Sequence, residues 1–258
     1  MQQNKYHRTF KNLLSFITGF IKNSLFKNKE TKEILNSDLL ISIGGHYFCS
    51  HSNLSLLDLI RLYRISYPLL LAKKNGIPYV LLGHSFGPFK HKFSLKFFKK
   101  VCENADLVFP REKISFDYLQ SLKIRNPNIF QIPDLAFYLK PELKDMNAIL
   151  GKYNLNPYSY AVVTVRTFKG KKNLKFLEEM KKVVEFILKE NLNHKVLLVA
   201  HTLGPSISEN DRIPTKILFE KLKHNKNIIY IDEDLSPYDL INLYGNACFT
   251  IGTRFHSV

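Results

Sequence analysis

An α/β fold is predicted by the way short apolar runs alternate with helical patterns from residue 39 almost to the end of the 258-residue chain. A second observation makes it two such folds in tandem. The stretch 138–158 is polar and proline-punctuated, and behind it a new strand-and-helix series begins. A hydrophobic content of 45% gives both halves apolar surface for a core.

In the first series the strand candidates are Leu39–Ile43, Tyr79–Leu82, Leu107–Phe109 and Ile129–Ile132, with helical patterns over 55–75, 94–103 and 113–122. Pro68 predicts a break in the first helix, since proline lacks the amide that a helix interior needs. The second series has strands at Tyr160–Val165, Val196–Ala200, Ile228–Ile231 and Cys248–Ile251, separated by helices over 173–189, 214–223 and 237–244. A short helical segment, 146–150, falls between the two series. The expected organisation is an amino-terminal segment 1–34, a Rossmann-like domain 35–140, a linker 141–157 and a second Rossmann-like domain 158–258. Ligands of such sheets gather at the carboxyl ends of the strands, so a cleft between the domains is the expected site.

The formal charge of +16 favours an anionic partner: nucleic acid, an acidic membrane face, or a phosphorylated or acidic sugar. A compositional bias toward lysine explains the same number equally well. Three widely spaced cysteines, Cys49, Cys102 and Cys248, suit neither a disulfide framework nor a zinc site, and read as reduced thiols of a cytoplasmic protein. No apolar run reaches the roughly 18 residues of a membrane span. Phe10, Leu13, Leu14, Ile17 and Ile21 recur at helical spacing opposite Lys11, Asn12, Ser15, Thr18 and Lys22. That basic amphipathic helix suits packing on the first domain, or peripheral attachment to an anionic membrane.

The chemistry-bearing residues follow the strands. Gly44-Gly45-His46 comes after the first, and Gly83-His84-Ser85-Phe86-Gly87-Pro88-Phe89 after the second, both read as glycine turns where backbone amides can approach a ligand. Neither fits a dinucleotide or P-loop pattern. Arg111 opens a helix, which is unfavourable unless an anion answers it. Asp134 reads equally as a turn cap or as a contact across the cleft. In the second half one strand ends toward Arg166 and another on His201. The loop Glu209-Asn210-Asp211-Arg212 that follows can be a solvated charge cluster, the reading favoured for Glu209 individually. The last strand runs into Gly252-Thr253-Arg254-Phe255-His256-Ser257, where Gly252 permits a turn, Thr253 caps a following helix, and Arg254 and His256 stand at its anion-attracting end. His46, Cys49 and His51 lack a fourth ligand and match no zinc spacing, so no metal is expected.

Taken in order, Ile41-Ser42-Ile43-Gly44-Gly45, the Gly83–Phe89 segment, Arg111-Glu112 with Ser115, Pro133-Asp134-Leu135-Ala136-Phe137 and the terminal Gly252–Ser257 segment resemble the polysaccharide pyruvyl transferase family. The resemblance covers residue 35 onward and implies two Rossmann-like domains in the glycosyltransferase B arrangement. It further implies transfer of a pyruvyl group from phosphoenolpyruvate to a sugar of a cell-surface polysaccharide, or of its lipid-linked precursor, forming a ketal. Arg254 and His256 match the family's catalytic, donor-holding arginine and histidine, with Gly252 and Thr253 beside them, and Arg166 matches a second donor arginine. Gly44, Gly45, His84, Ser85, Gly87, Arg111, Asp134 and His201 would line the cleft or the acceptor site. Phosphoenolpyruvate is a substrate, so no cofactor is implied.

Three departures accompany the resemblance. The usual amino-terminal glycine-aspartate loop is absent before Glu33, the Gly44-Gly45 run lacks a third glycine and an aspartate, and the sequence stops at Val258 where family members continue. The second domain is therefore expected to be truncated at its carboxyl end. Two alternatives stay open: a nucleotide-sugar glycosyltransferase of similar fold, and a non-catalytic truncated relative. Nucleic-acid binding comes last, because the positive charge is scattered and no recognised module occurs.

Overall fold

In the computed structural model of the chain, the described residues are 28–141, 143–168, 171–190 and 195–257. The amphipathic pattern over residues 10–22 lies outside them. The fold is α/β as expected, and the chain divides into two compact units, Met1–Tyr138 and Leu139–Val258. No helix among the described residues is long and apolar enough to cross a membrane.

The first unit contains α1 (Asn28–Leu35), β1 (Leu40–Phe48), α2 (Ser55–Lys74), β2 (Tyr79–Phe86), α3 (Lys92–Asn104), β3 (Leu107–Pro110) and α4 (Lys113–Ser121). Its sheet is parallel, in the order β1-β2-β3. Right-handed crossovers between strands laid down in one direction put every connecting helix on the same face. Accordingly Leu62 and Leu69 of α2, Phe98 and Val101 of α3 and Leu119 of α4 share one core with Tyr79, Leu81 and Val108. The opposite face carries Ile41 and Ile43, exposed by 45% and 61%.

Four expectations need correction here. Pro68 does not break its helix: α2 runs continuously through it. Gly44 and Gly45 do not follow β1 but lie within it, at φ of 59° and 90°, where the register with β2 shifts between Gly45 and Phe48. Gly83 to Phe86 likewise belong to β2, so the turn is left to Gly87 at φ 70°, with a cis bond to Pro88. The fourth strand candidate is reduced to a bridge between Val108 and Ile129, with backbone bonds from Phe130 to Val108 and Ile132 to Pro110.

The second unit contains α5 (Leu143–Lys152), β4 (Tyr160–Val163), α6 (Lys171–Glu190), β5 (Lys195–Val199), α7 (Arg212–Leu222), β6 (Ile228–Ile231), α8 (Pro237–Gly245) and β7 (Phe249–Ile251). Its parallel sheet has the order β6-β5-β4-β7. The chain therefore builds outward from β4 and then reverses, which places helices on both faces. Leu177 and Val184 of α6 and Leu218 of α7 pack on Ala161, Val163, Val196 and Leu198, whereas Ile149 and Leu150 of α5 and Leu243 of α8 pack on Tyr160, Val162, Leu197 and Val199. Buried on both faces, β4 reads Tyr-Ala-Val-Val without polar alternation, as a central parallel strand should. The expected helix after β7 is a single 3-10 turn, Phe255–Ser257.

Candidate functional site

Reversal of strand order creates a crevice between β4 and β7, and the residues following those two strands stand at its mouth. Thr164 is fully buried, donates its backbone amide to Ile251 at 2.9 Å, and shares a 2.9 Å hydroxyl contact with Ser257. The Thr253 hydroxyl donates to the Thr164 carbonyl at 3.3 Å. Thr253 thus ties the two strand ends together instead of capping a helix. This lock fixes the backbone from which Arg254 and His256 project.

Arg254 is held from one side. Its Nε donates to Oδ2 of Asp211 at 3.0 Å and its Nη2 to Oδ1 at 2.6 Å, a side-on pair with a fully buried carboxylate. Oδ2 also accepts the Thr202 amide at 3.1 Å. Asp211 is the residue that sequence reasoning missed, because its neighbours in the chain are all polar and its partner lies 43 positions away. Arg166 follows β4 with its Nε buried and no hydrogen-bond partner, and its guanidinium lies 5.3 Å from the centre of the Phe168 ring. It forms no ion pair among the described residues. Beyond β5, His201 stacks on Tyr244 and shares a 2.9 Å contact through Nδ1 with its hydroxyl. Burial, and then the charges of His256 and Arg254, hold the His201 imidazole below its usual pKa, against the raising influence of Asp211. His256 is exposed, edge-on to Phe255.

The first unit gathers another set at the ends of β2 and β3. Arg111 donates from Nη1 to Asp134 at 2.6 Å and from Nε to the Ser85 hydroxyl at 2.8 Å, and Ser85 donates to Glu112 at 3.0 Å. Asp134, largely buried, also accepts the Ala136 amide at 3.0 Å. The anion that answers Arg111 at its helix start is thus Asp134, and the turn-cap reading of that aspartate holds within the same contact set. His84 is fully buried, its Nε2 2.9 Å from the Ser42 carbonyl, in a cage of Tyr47, Phe48 and Phe86. Gly87 has no room for a side chain, because a Cβ there would strike the Tyr118 ring. His46 donates to the Gly87 carbonyl at 2.7 Å, while Cys49 pairs with His51 at 3.2 Å. Among the described residues no group of three His, Cys, Asp or Glu side chains is arranged to hold a metal.

Residues 3–258, which include both of these strand-end clusters, match the model of the polysaccharide pyruvyl transferase family. The chain belongs to that family. Among relatives of this pyruvyl transferase family chain, the amylovoran biosynthesis protein AmsJ of Erwinia amylovora is 22% identical, over 93% of this chain and 58% of its own length. Solved structures similar to the family member include a UDP-N-acetylglucosamine 2-epimerase from Rickettsia bellii, at 15% identity and a TM-score of 0.48, covering 88% of this chain and 57% of that one. Anabaena Alr3699/HepE, in complex with UDP and glucose, is similar at 12% identity and a TM-score of 0.44, covering 86% and 54%. The pyruvyl transferase family chain therefore spans little more than half the length of the relatives it matches.

Proposed function

We propose that this chain transfers a pyruvyl group from phosphoenolpyruvate to a sugar of a cell-surface polysaccharide or of its lipid-linked precursor, forming a pyruvate ketal. The observation that carries this reading is the convergence of Arg166, Arg254 and His256 on the strand ends flanking the β4–β7 crevice. Phosphoenolpyruvate presents a carboxylate and a phosphate. Two guanidinium groups, one with a buried nitrogen lacking a partner, suit that pair of anions.

The chemistry asks for a proton on the enol methylene while a sugar hydroxyl attacks the adjacent carbon. Loss of phosphate then lets a second hydroxyl of the same sugar close the ketal, and the two hydroxyl protons leave. An imidazole, which can both give and take a proton, suits the first proton transfer, and His256 takes that role in this scheme. Arg254 and Arg166 offset the charge of the departing phosphate. Gly252 and Thr253 shape the donor site, and His201, at the end of β5 in the same sheet, belongs to the acceptor side. Such a protein works in the cytoplasm, docked at the inner membrane face where lipid-linked sugars are held.

Arg254→Ala is a poor first test, because it strands the buried Asp211 carboxylate and disturbs folding as well as binding. Arg166→Gln avoids that confusion. Calorimetric titration with phosphoenolpyruvate should show saturable binding to the chain, weakened at least tenfold in Arg166→Gln, by the rule that a charge-assisted contact contributes about 1.5–3 kcal/mol. Equal binding by both, or none by the folded chain, overturns the donor reading. Saturable binding of a nucleotide sugar in its place supports the glycosyltransferase alternative.

A further inference from the structure

Asp211 immediately precedes α7, the position where an aspartate ordinarily turns its carboxylate onto the first amides of its own helix. It makes no such bond, and its backbone is helical at φ −78° and ψ −8°. The carboxylate points away instead, to the Thr202 amide and to both Nε and Nη2 of Arg254. The residue holding it is itself pinned. Its amide donates to the Thr202 carbonyl at 2.8 Å, and the Thr215 hydroxyl donates to its carbonyl at 2.6 Å.

Neither capping nor packing accounts for a fully buried carboxylate here. A serine would cap α7, and an apolar residue would fill the space without removing a charge from water. Departures from local rules of this kind concentrate where function sets the choice. A carboxylate gripping a guanidinium along its Nε edge also fixes the plane of the whole group, because both bonds are needed to stop rotation about the side chain.

We infer that Asp211 is a positioning residue: it fixes the Arg254 guanidinium at the carboxyl end of β7, so that an anionic donor meets it in one orientation. The inference rests on the reading of Arg254 as a donor-binding residue. Asp211 itself touches no reacting atom. Its contribution is the alignment of a group that does.

The test uses the full chain and two readouts. Asp211→Asn keeps the size of the side chain but loses the charge and one of the two acceptor oxygens. The first readout is the Arg254 Nε–Hε resonance in a nitrogen-15 spectrum, assigned by its disappearance in Arg254→Lys. The second is the calorimetric dissociation constant for phosphoenolpyruvate. We expect the resonance to shift or broaden in Asp211→Asn and the dissociation constant to rise tenfold or more, with backbone amides away from the 201–212 loop and the 252–257 segment unchanged. Asp211→Glu retains the charge but displaces the carboxylate, and should move the resonance likewise even where the asparagine variant folds poorly.

An unmoved resonance overturns the inference, as does undiminished donor binding by Asp211→Asn where the parent chain binds phosphoenolpyruvate. If neither variant folds, Asp211 serves the fold alone and the inference falls. If the resonance moves but the parent chain binds no phosphoenolpyruvate, Asp211 does fix Arg254 and it is the donor reading that fails.

Discussion

His84 shows how one side chain couples burial to pH. Inside its aromatic cage the imidazole is pushed down to about 4, chiefly by removal from water and further by the Arg111 charge, against the raising effect of its bonds to Ser42 and Gly45. The unfolded chain protonates near the ordinary value of about 6.5. Because the folded pKa is the lower one, the contribution to stability is complete above that value and is lost as pH falls toward 4, while the unfolded state takes up a proton the native state refuses. At pH 5 the first unit should be about 2 kcal/mol less stable than at pH 7 on this account. Urea unfolding of the parent chain and of His84→Gln across that range checks it: the difference between the two profiles should slope between pH 4 and 6.5, and a constant difference refutes the assignment. At this same scale the sequence was partly legible. Arg111, Arg166, His201, Arg254 and His256 stand just beyond strand ends, where the alternation of elements predicts them, whereas Asp134 follows a segment that makes only a bridge. Their partners were not readable, since Asp211 meets Arg254 across 43 positions and Thr164 meets Ser257 across 93. Only the order of strands in the sheet brings those pairs together, and no local pattern encodes that order.

Helices and strands were more legible than their interruptions. The Ile228–Ile231 strand falls where the pattern predicts, and α6, α7 and α8 match their predicted spans within two residues at each end. Local rules gave way where packing is strong. In α2 the buried residues Asp58, Leu59, Leu62, Tyr63, Ser66, Leu69 and Ala72 form one continuous stripe, so breaking the helix at Pro68 would sacrifice the contacts of its second half. The fold tolerates the proline because Arg64, whose carbonyl loses its amide partner, is exposed and can turn that carbonyl to water. Proline therefore remains a cost in this helix. Pro68→Ala restores the missing bond and should raise the unfolding free energy by about 1–3 kcal/mol, read as a higher urea midpoint at unchanged slope. A lower midpoint would mean that the proline ring is packing Leu69 and its neighbours into place. The Gly44-Gly45 pair gave way in the opposite sense: glycine was read as the end of β1, but pairing resumes at Phe48 because the core needs that ring beside Phe86 and Phe98.

At the scale of the whole chain, the order in which strands are laid down decides what each unit can bury. The second unit reverses direction after β6 and so sheathes both faces of its sheet; among the described residues the first does not reverse, and its connecting helices gather on one face. Parallel sheets ordinarily have both faces covered. Among the described residues β1 is also an edge strand, and Ile41 and Ile43 stand out from it by 45% and 61%, while Phe130, also exposed, lies against Phe109 on β3. An apolar edge of this kind invites pairing with another chain, and lysine is the residue that most effectively discourages it. In Ile41→Lys/Ile43→Lys the long side chains can reach water without leaving the strand, so folding should change little, by about 1 kcal/mol or less given the range of strand propensities. Self-association should change much more. Light scattering during slow heating should begin at a higher temperature in the double variant at equal protein concentration, with circular dichroism of the two chains superimposable before heating. If the substitution instead lowers the unfolding free energy by several kcal/mol, Ile41 and Ile43 are covered in solution and the reading of an exposed apolar face fails.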